Sequence, residues 1–529
     1  VGNLAEGYLA LGSLTTGVYN TGIGVYSLLS ITDGSLCTGV GAGALFSNSA
    51  AENTAVGAGA LLSNTTGGSS TANGAFALFS NTTGDSNTAT GASALSSNTT
   101  GFDNTANGVR ALSSNTTGDS NTANGVGALF SNDTGFGNTA TGASALFNST
   151  TAINNTANGV QALFSNATGG GNTANGVQAL FSNTTGDFNT ANGAGALFSN
   201  TTGDFNTANG VNALSSNTTG GGNTANGAGA LFSNTTGFDN TANGVRALSS
   251  NTTGDSNTAN GVQALSNNTT GGNNTANGLQ SLVSNTTGNS NTANGVNALV
   301  SNTTGGINTA NGVNALLNNT TGSNNIALGA SAGSSVTTAN SVIAIGSTGA
   351  NVSNSCFVGN IYSTVQPIVG TDPDSVTINS AGRLGRGNVS SRRYKHDIKP
   401  MDKASEALYA LKPVSFRYHK EYDATQTLAF GLIAEEVAEV YPDLVGRNPE
   451  GQPESVRYEQ INALLLNEFL KEHAKVEQLK HDFEVTVAEE KKEIQSLTAQ
   501  LKEQAAQIQK VSAQLEVNKP AAQVVSFGQ

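Results

Sequence analysis

Along most of the chain, small and apolar positions recur at intervals of seventeen residues. One unit, Asn104 to Ser120, reads N-T-A-N-G-V-R-A-L-S-S-N-T-T-G-D-S. Its first Thr returns at Thr122, Thr139, Thr156 and onward to Thr309, and Ile326 and Ile343 continue the column. Upstream, Leu4, Thr21 and Thr38 keep the step and one residue is lost before Thr54, giving about twenty units in all. Seventeen residues are too few for a helix pair and show no helical period, whereas two short strands separated by turns fit each unit. The expected fold is mainly β, with a long β-solenoid over residues 1–366. The columns of Ala106, Val109 and Leu112 stay small or apolar and are expected to face inward. The column of Arg110 accepts Gln, Asn, Gly, Ser and Phe and is expected to face outward. Gly108 and Gly118 mark turns where a positive φ or a close backbone approach favours glycine. Asn and Thr of N-T-T-G stack on their copies in adjacent rungs. No Pro precedes Pro367, as expected when each rung donates its backbone N–H to a neighbour. At roughly 4.8 Å per rung, about twenty rungs make a rod on the order of 100 Å long.

The pattern changes downstream. From Val342 the units become more β-branched and aromatic, as a terminal cap requires. Residues 367–389, with Pro367, Pro373 and S-V-T-I-N-S, read as a neck holding one strand. Residues 390–458 read as a small α/β domain, in which P-V-S-F-R-Y alternates as a strand and L-I-A-E-E-V-A-E-V-Y is a helix closed by Pro442. Over 459–515 a long helix places Leu466, Val487, Ile494, Leu501, Ile508 and Leu515 on a heptad spacing, which predicts a coiled coil strongest from Ile494 to Leu515. His473, Lys480, Glu490 and Gln504 interrupt that seam, and residues 516–529 form a flexible tail.

Composition narrows the function classes. The net charge is −13, and Arg110 and Arg246 are the only basic residues before Ser380, so nucleic acid is not an expected partner. No apolar run approaches the roughly 20 residues of a membrane span. Cys37 and Cys356 are the only cysteines and imply no disulfide framework. The chain opens on Val1 and its single Met is Met401, which suggests a processed or truncated product. No cofactor and no metal are expected: Gly, Phe and Asn replace Asp119 in other rungs, which breaks any calcium ladder. The N-T-T triplets match the N-glycosylation acceptor but read as turn chemistry copied from rung to rung. The regular Thr columns also admit an ice-binding reading.

Chemistry is concentrated at Val389–Ile398, V-S-S-R-R-Y-K-H-D-I, where Ser390 stands five residues before Lys395. The stretch runs on into K-P-M-D-K-A-S-E-A-L-Y-A-L-K-P-V-S-F-R-Y, followed later by F-G-L-I-A-E-E-V-A-E-V-Y-P-D-L-V and S-V-R-Y-E-Q-I-N-A-L-L-L-N-E-F-L. These blocks resemble the intramolecular chaperone and auto-processing domain at the C-terminus of phage tailspikes, endosialidases and bacterial tail-fibre proteins, over about the last quarter of the chain. The resemblance implies Ser390 as nucleophile, Lys395 as general base and a cut between Val389 and Ser390. Arg393 and Ser391 take supporting positions, Ser391 standing where the family commonly has Asp. Such an activity is at most that of a single-turnover, self-cleaving serine peptidase with no external substrate. His396 reads as a solvent-exposed neighbour. The resemblance further implies a homotrimer, whose main partner is itself, with a cell-surface receptor or glycan as external partner and an extracellular, cell-surface or virion location. The repeats are similar to the heads of trimeric autotransporter adhesins. The alternative reading is an uncleaved structural or ice-binding β-solenoid on a permanent oligomerisation base.

Overall fold

The computed structural model describes residues 2–361, 376–378, 384–386, 390–448 and 450–518, in two compact units, Val1–Val365 and Gln366–Gln529. The first is a β-solenoid in which each turn of the chain stacks on its own earlier copy. A single parallel sheet of 22 three-residue strands runs from Leu4–Glu6 to Cys356–Val358. Its register follows the repeat, with Thr105 opposite Thr122, Ala106 opposite Ala123 and Asn107 opposite Asn124.

Each rung holds one strand rather than the two expected. On the other side Arg110 and Leu112 adopt left-handed φ values of 57° and 51°, so the backbone there is not extended. It still bonds to its neighbours, with Arg110 N donating to Ala92 O at 3.0 Å and Leu112 N to Ala128 O at 2.9 Å. A left-handed Leu costs roughly 1–2 kcal/mol. Full burial of its side chain contributes about 1.5–3 kcal/mol, so burial outweighs strain. Leu112 is fully buried, as are its copies Leu129 and Leu146.

The same backbone overturns one expected face. Because successive residues do not alternate in and out here, Ala111 and Leu112 both point inward, while Val109 and Arg110 both point outward. Val109 is 47 % exposed instead of buried. Ala106 and Leu112 are inward and Arg110 outward, as the pattern indicates.

Two columns of fully buried Asn supply the polar half of the core. Asn115 Nδ2 donates to Asn98 Oδ1 at 2.7 Å and to Gly118 O at 2.9 Å. Asn104 Nδ2 donates to the same Gly118 O at 2.8 Å, and its Oδ1 accepts from Asn121 N at 3.0 Å. Each rung therefore carries its own solution for buried polar groups. The Asn of each N-T-T triplet is one of these inward groups, and folding removes it from solvent. Glycine is required at two points. A Cβ on Gly108, at φ +145°, would strike the Gly125 carbonyl, and a Cβ on Gly118 would strike the Gly135 carbonyl and Asn115 Oδ1.

The solenoid ends on a shortened rung, Ile343–Ile345 pairing with Cys356–Val358. There Asn351 Oδ1 accepts from the backbone N–H of Thr337, Thr338 and Ala339 at 3.0, 2.9 and 2.8 Å, closing groups that no further rung would satisfy.

In the second unit Val376–Ile378 pairs antiparallel with Leu384–Arg386, two strands where the neck suggested one. Val389, Pro367 and Pro373 lie outside the described residues, as do 519–529 of the expected tail. Val414–Phe416 pairs with Ala429–Gly431, and helix α1, Ala434–Val440, ends in the Pro442–Leu444 turn. Helix α2 runs for 60 residues, Tyr458–Val517. The core of this unit is thin: among the described residues, Val437, Leu444, Val445 and Leu464 are its buried hydrophobic ones.

Candidate functional site

The site is made by one tight turn. Ser391 caps the 3-10 helix Arg392–Tyr394, its Oγ accepting from Arg393 N and Arg393 Nε, both at 3.3 Å. The turn is closed by Tyr394 N donating to Ser391 O at 3.0 Å. Reversal of the chain across that turn lets Lys395 Nζ donate to Ser390 Oγ at 2.8 Å. The two adjacent serines thus have different employment: Ser390 meets the lysine, and Ser391 holds the turn that presents it. The Arg393 guanidinium carbon lies 5.7 Å from the centre of the Tyr394 ring, which steadies the same turn. His396 Nδ1 lies 3.0 Å from Asp397 Oδ2, both exposed, and is bonded there rather than to the Ser390–Lys395 pair.

Ser390 and Lys395 open onto a groove that the heptad and strand patterns did not disclose. Met401, Tyr441, Asp443, Glu459, Gln460 and Leu464 line it, so the end of α1 and the first turns of α2 both border the serine. A second polar cluster fixes α2 to the Asp402–Ala410 segment. The Ser405 hydroxyl donates to Glu468 Oε1, Asn467 Nδ2 donates to Ser405 Oγ at 2.6 Å, and Lys471 Nζ donates to Glu468 Oε1 at 2.7 Å. Lys471 and then Ser405 hold the Glu468 carboxyl below the usual carboxylate range, and Glu468 in turn raises Lys471. Ser405 is fully buried and Glu468 nearly so, so the charge is paired where water is scarce. The N-E pair in L-L-L-N-E-F-L, polar inside an apolar run, is the one trace this cluster leaves in the sequence.

The turn that carries Ser390 and Lys395 also opens the region of recognisable ancestry. Residues 390–446 match the family described as chaperone of endosialidase. The match begins at Ser390, spans the dyad turn, the Val414–Phe416 strand and α1, and stops before α2. No curated protein and no solved structure matches the chain. A long β-solenoid followed by a chaperone domain of this family is the build of a fibre-like protein. Among the described residues, no helix is long and apolar enough to cross a membrane.

Proposed function

We propose that the chain is the subunit of a trimeric extracellular fibre, whose chaperone domain aligns three chains and then cuts itself off before Ser390. The observation that carries the reading is the 2.8 Å bond between Lys395 Nζ and Ser390 Oγ at the start of the chaperone domain. For the cut, an unprotonated Lys395 takes the hydroxyl proton as Ser390 Oγ attacks the carbonyl carbon of the preceding residue, Val389. The tetrahedral intermediate collapses with loss of the Val389–Ser390 C–N bond, and the lysine returns the proton to the departing Ser390 amine. An ester between the Val389 acyl group and Ser390 Oγ results. Water hydrolyses it, leaving a carboxylate on Val389 and a new chain that starts at Ser390.

Timing follows from solvation. In the single chain Ser390 and Lys395 are exposed. Packing against neighbouring copies would disfavour the charged lysine and supply the base, which makes the cut follow assembly. The Ser391 departure from the family's usual Asp is mild on this reading, because Asp and Ser are both good caps for a helical turn. The ice-binding alternative draws less support. The first threonine of each N-T-T-G, such as Thr99 with its Oγ1 donating to Thr116 O at 2.9 Å, spends its hydroxyl proton on the next rung.

Denaturing gels and mass spectrometry of three variants test the reading. Wild type should give a fragment beginning at Ser390. Ser390→Ala and Lys395→Ala should leave a full-length chain that still assembles, and Ser391→Ala should cut, more slowly. An intact wild-type chain in assembled particles would reduce the domain to a permanent base, and loss of cutting only in Ser391→Ala would move the nucleophile by one residue.

A further inference from the structure

The column through Val109 is exposed in every rung from Tyr8 to Ala330, yet in every one of those rungs it is Val, Ala, Leu or Tyr. Val126 is 61 % exposed and Val177 53 %. The neighbouring outward column varies freely, holding Arg110, Gly127, Ser144, Gln161 and Asn212, while the exposed Thr117 column keeps Thr as part of the N-T-T-G turn. A solenoid needs turns and inward groups, but its own folding sets no requirement that this outward column stay apolar. We propose that the Val109 column is the seam along which solenoids of copies of this chain pack side by side, rung against rung, about a common axis. The inference rests on the oligomeric reading above and names the surface that the reading leaves open.

The stripe has breadth. Next to it, Phe130, Phe147, Phe164, Phe181 and Phe198 form a half-buried ladder with ring centres 4.9 to 5.3 Å apart. A groove lined by Val211, Ala228, Val245, Phe232 and Arg246 shows that the two columns share one face. Between them, glycines such as Gly195 and Gly229 leave room for close approach. At roughly 50 Å² for each half-exposed residue of the column, Val or Ala, about twenty rungs offer on the order of 1,000 Å² per copy, comparable to the ~800 Å² a side of a standard interface.

The occupant must keep step with the rungs. An α-helix repeats every ~5.4 Å and a rung every ~4.8 Å, so a docked helix would slip by about one rung in eight. A second copy of the solenoid has the same repeat and stays in register along the whole stripe. Charge agrees with that partner. Arg110 and Arg246 lie beside the stripe and, among the described residues, make no ion pair within the chain. Asp103 and Asp239 stand seven residues before them, less than half a turn of the solenoid away, so an in-register parallel neighbour brings an acid close to the height of each Arg.

The test uses the full chain with Cys356→Ser, which removes the exposed thiol and leaves Cys37 buried. Val177→Cys and Thr185→Cys place a thiol in the same rung, on the stripe and on an exposed turn. Each is treated with a short bismaleimide, run on a denaturing gel, and weighed by light scattering before treatment. The expected result is covalent multimers from Val177→Cys and single chains from Thr185→Cys. Multimeric particles that crosslink equally at both positions, or at neither, would overturn the seam while leaving the oligomer intact. Particles of single-chain mass would overturn the oligomeric reading and the seam together.

Discussion

The solenoid and the C-terminal unit solve burial in opposite ways. In the solenoid each rung finds its partners in the rungs above and below: Ala106, Ala111 and Leu112 are fully buried, and Asn104 and Asn115 bond to their own copies. The C-terminal unit buries few side chains and leaves the apolar heptad positions of α2 in solvent, with Leu501 65 % and Ile508 66 % exposed. A repeat supplies its own neighbours, whereas the apolar seam of α2 beyond Lys471 finds none among the described residues. The difference teaches where association should start. On the oligomeric reading proposed above, seam-to-seam contact between helices would cover those positions and raise the local concentration of the repeats before they pack together.

The sharpest way to break this contrast is at the helix. Leu501→Asp with Ile508→Asp puts like charges into the seam, where burying an unpaired charge costs several kcal/mol or abolishes association. The expected outcome is loss of oligomer, read by light scattering, with aggregated or unfolded solenoid. Soluble multimers of normal mass from this variant would contradict the chaperone role assigned to the C-terminal unit. Within the solenoid the corresponding contrast is between faces. Leu112→Asp should lower stability by several kcal/mol through a buried charge, while Asp at the exposed Arg110 should change it by less than about 0.5 kcal/mol. Thermal melts of the two variants check the assignment, and equal shifts would mean that the faces are misplaced.

These contrasts were unequally legible. The seventeen-residue step, the inward Ala106 and Leu112 and the stacking of N-T-T-G followed from the pattern, because a repeated column can only face one way. The outward turn of Val109 did not. It depends on left-handed φ at Arg110 and Leu112, residues whose types give no sign of that conformation. Ser390 and Lys395 stood out only through a resemblance, since a serine five residues from a lysine is common in a serine-rich chain. The Ser405–Glu468 bond joins residues 63 apart, so the polar N-E pair in L-L-L-N-E-F-L marks one end of it but gives no sign of its partner.

The finest distinction lies inside the solenoid, where Ser interrupts the buried Asn columns: Ser70 keeps its ladder, its Oγ accepting from Asn87 N at 3.2 Å, but Ser149 does not. Ser149 takes the place of Asn in the Asn115 column, and Asn132 Oδ1 is left buried without a partner, as is Ser149 Oγ. The cause is three residues away. Ala152 occupies the column of Gly118, where a Cβ would collide with the Oδ1 of the Asn three residues before it. The same pairing recurs at Ala339, where the Asn column holds Val336. Ser149→Asn alone should therefore destabilise, by about 1–3 kcal/mol of overpacking against the Ala152 methyl. Adding Ala152→Gly removes the methyl, lets the new amide donate to Asn132 Oδ1, and should leave the double variant about 1 kcal/mol more stable than wild type. Denaturant melts of the two single variants and the double close a mutant cycle, with a coupling energy of about 1–3 kcal/mol expected. Additive effects would show that Ser149 and Ala152 are independent, and that the gap in the ladder has another origin.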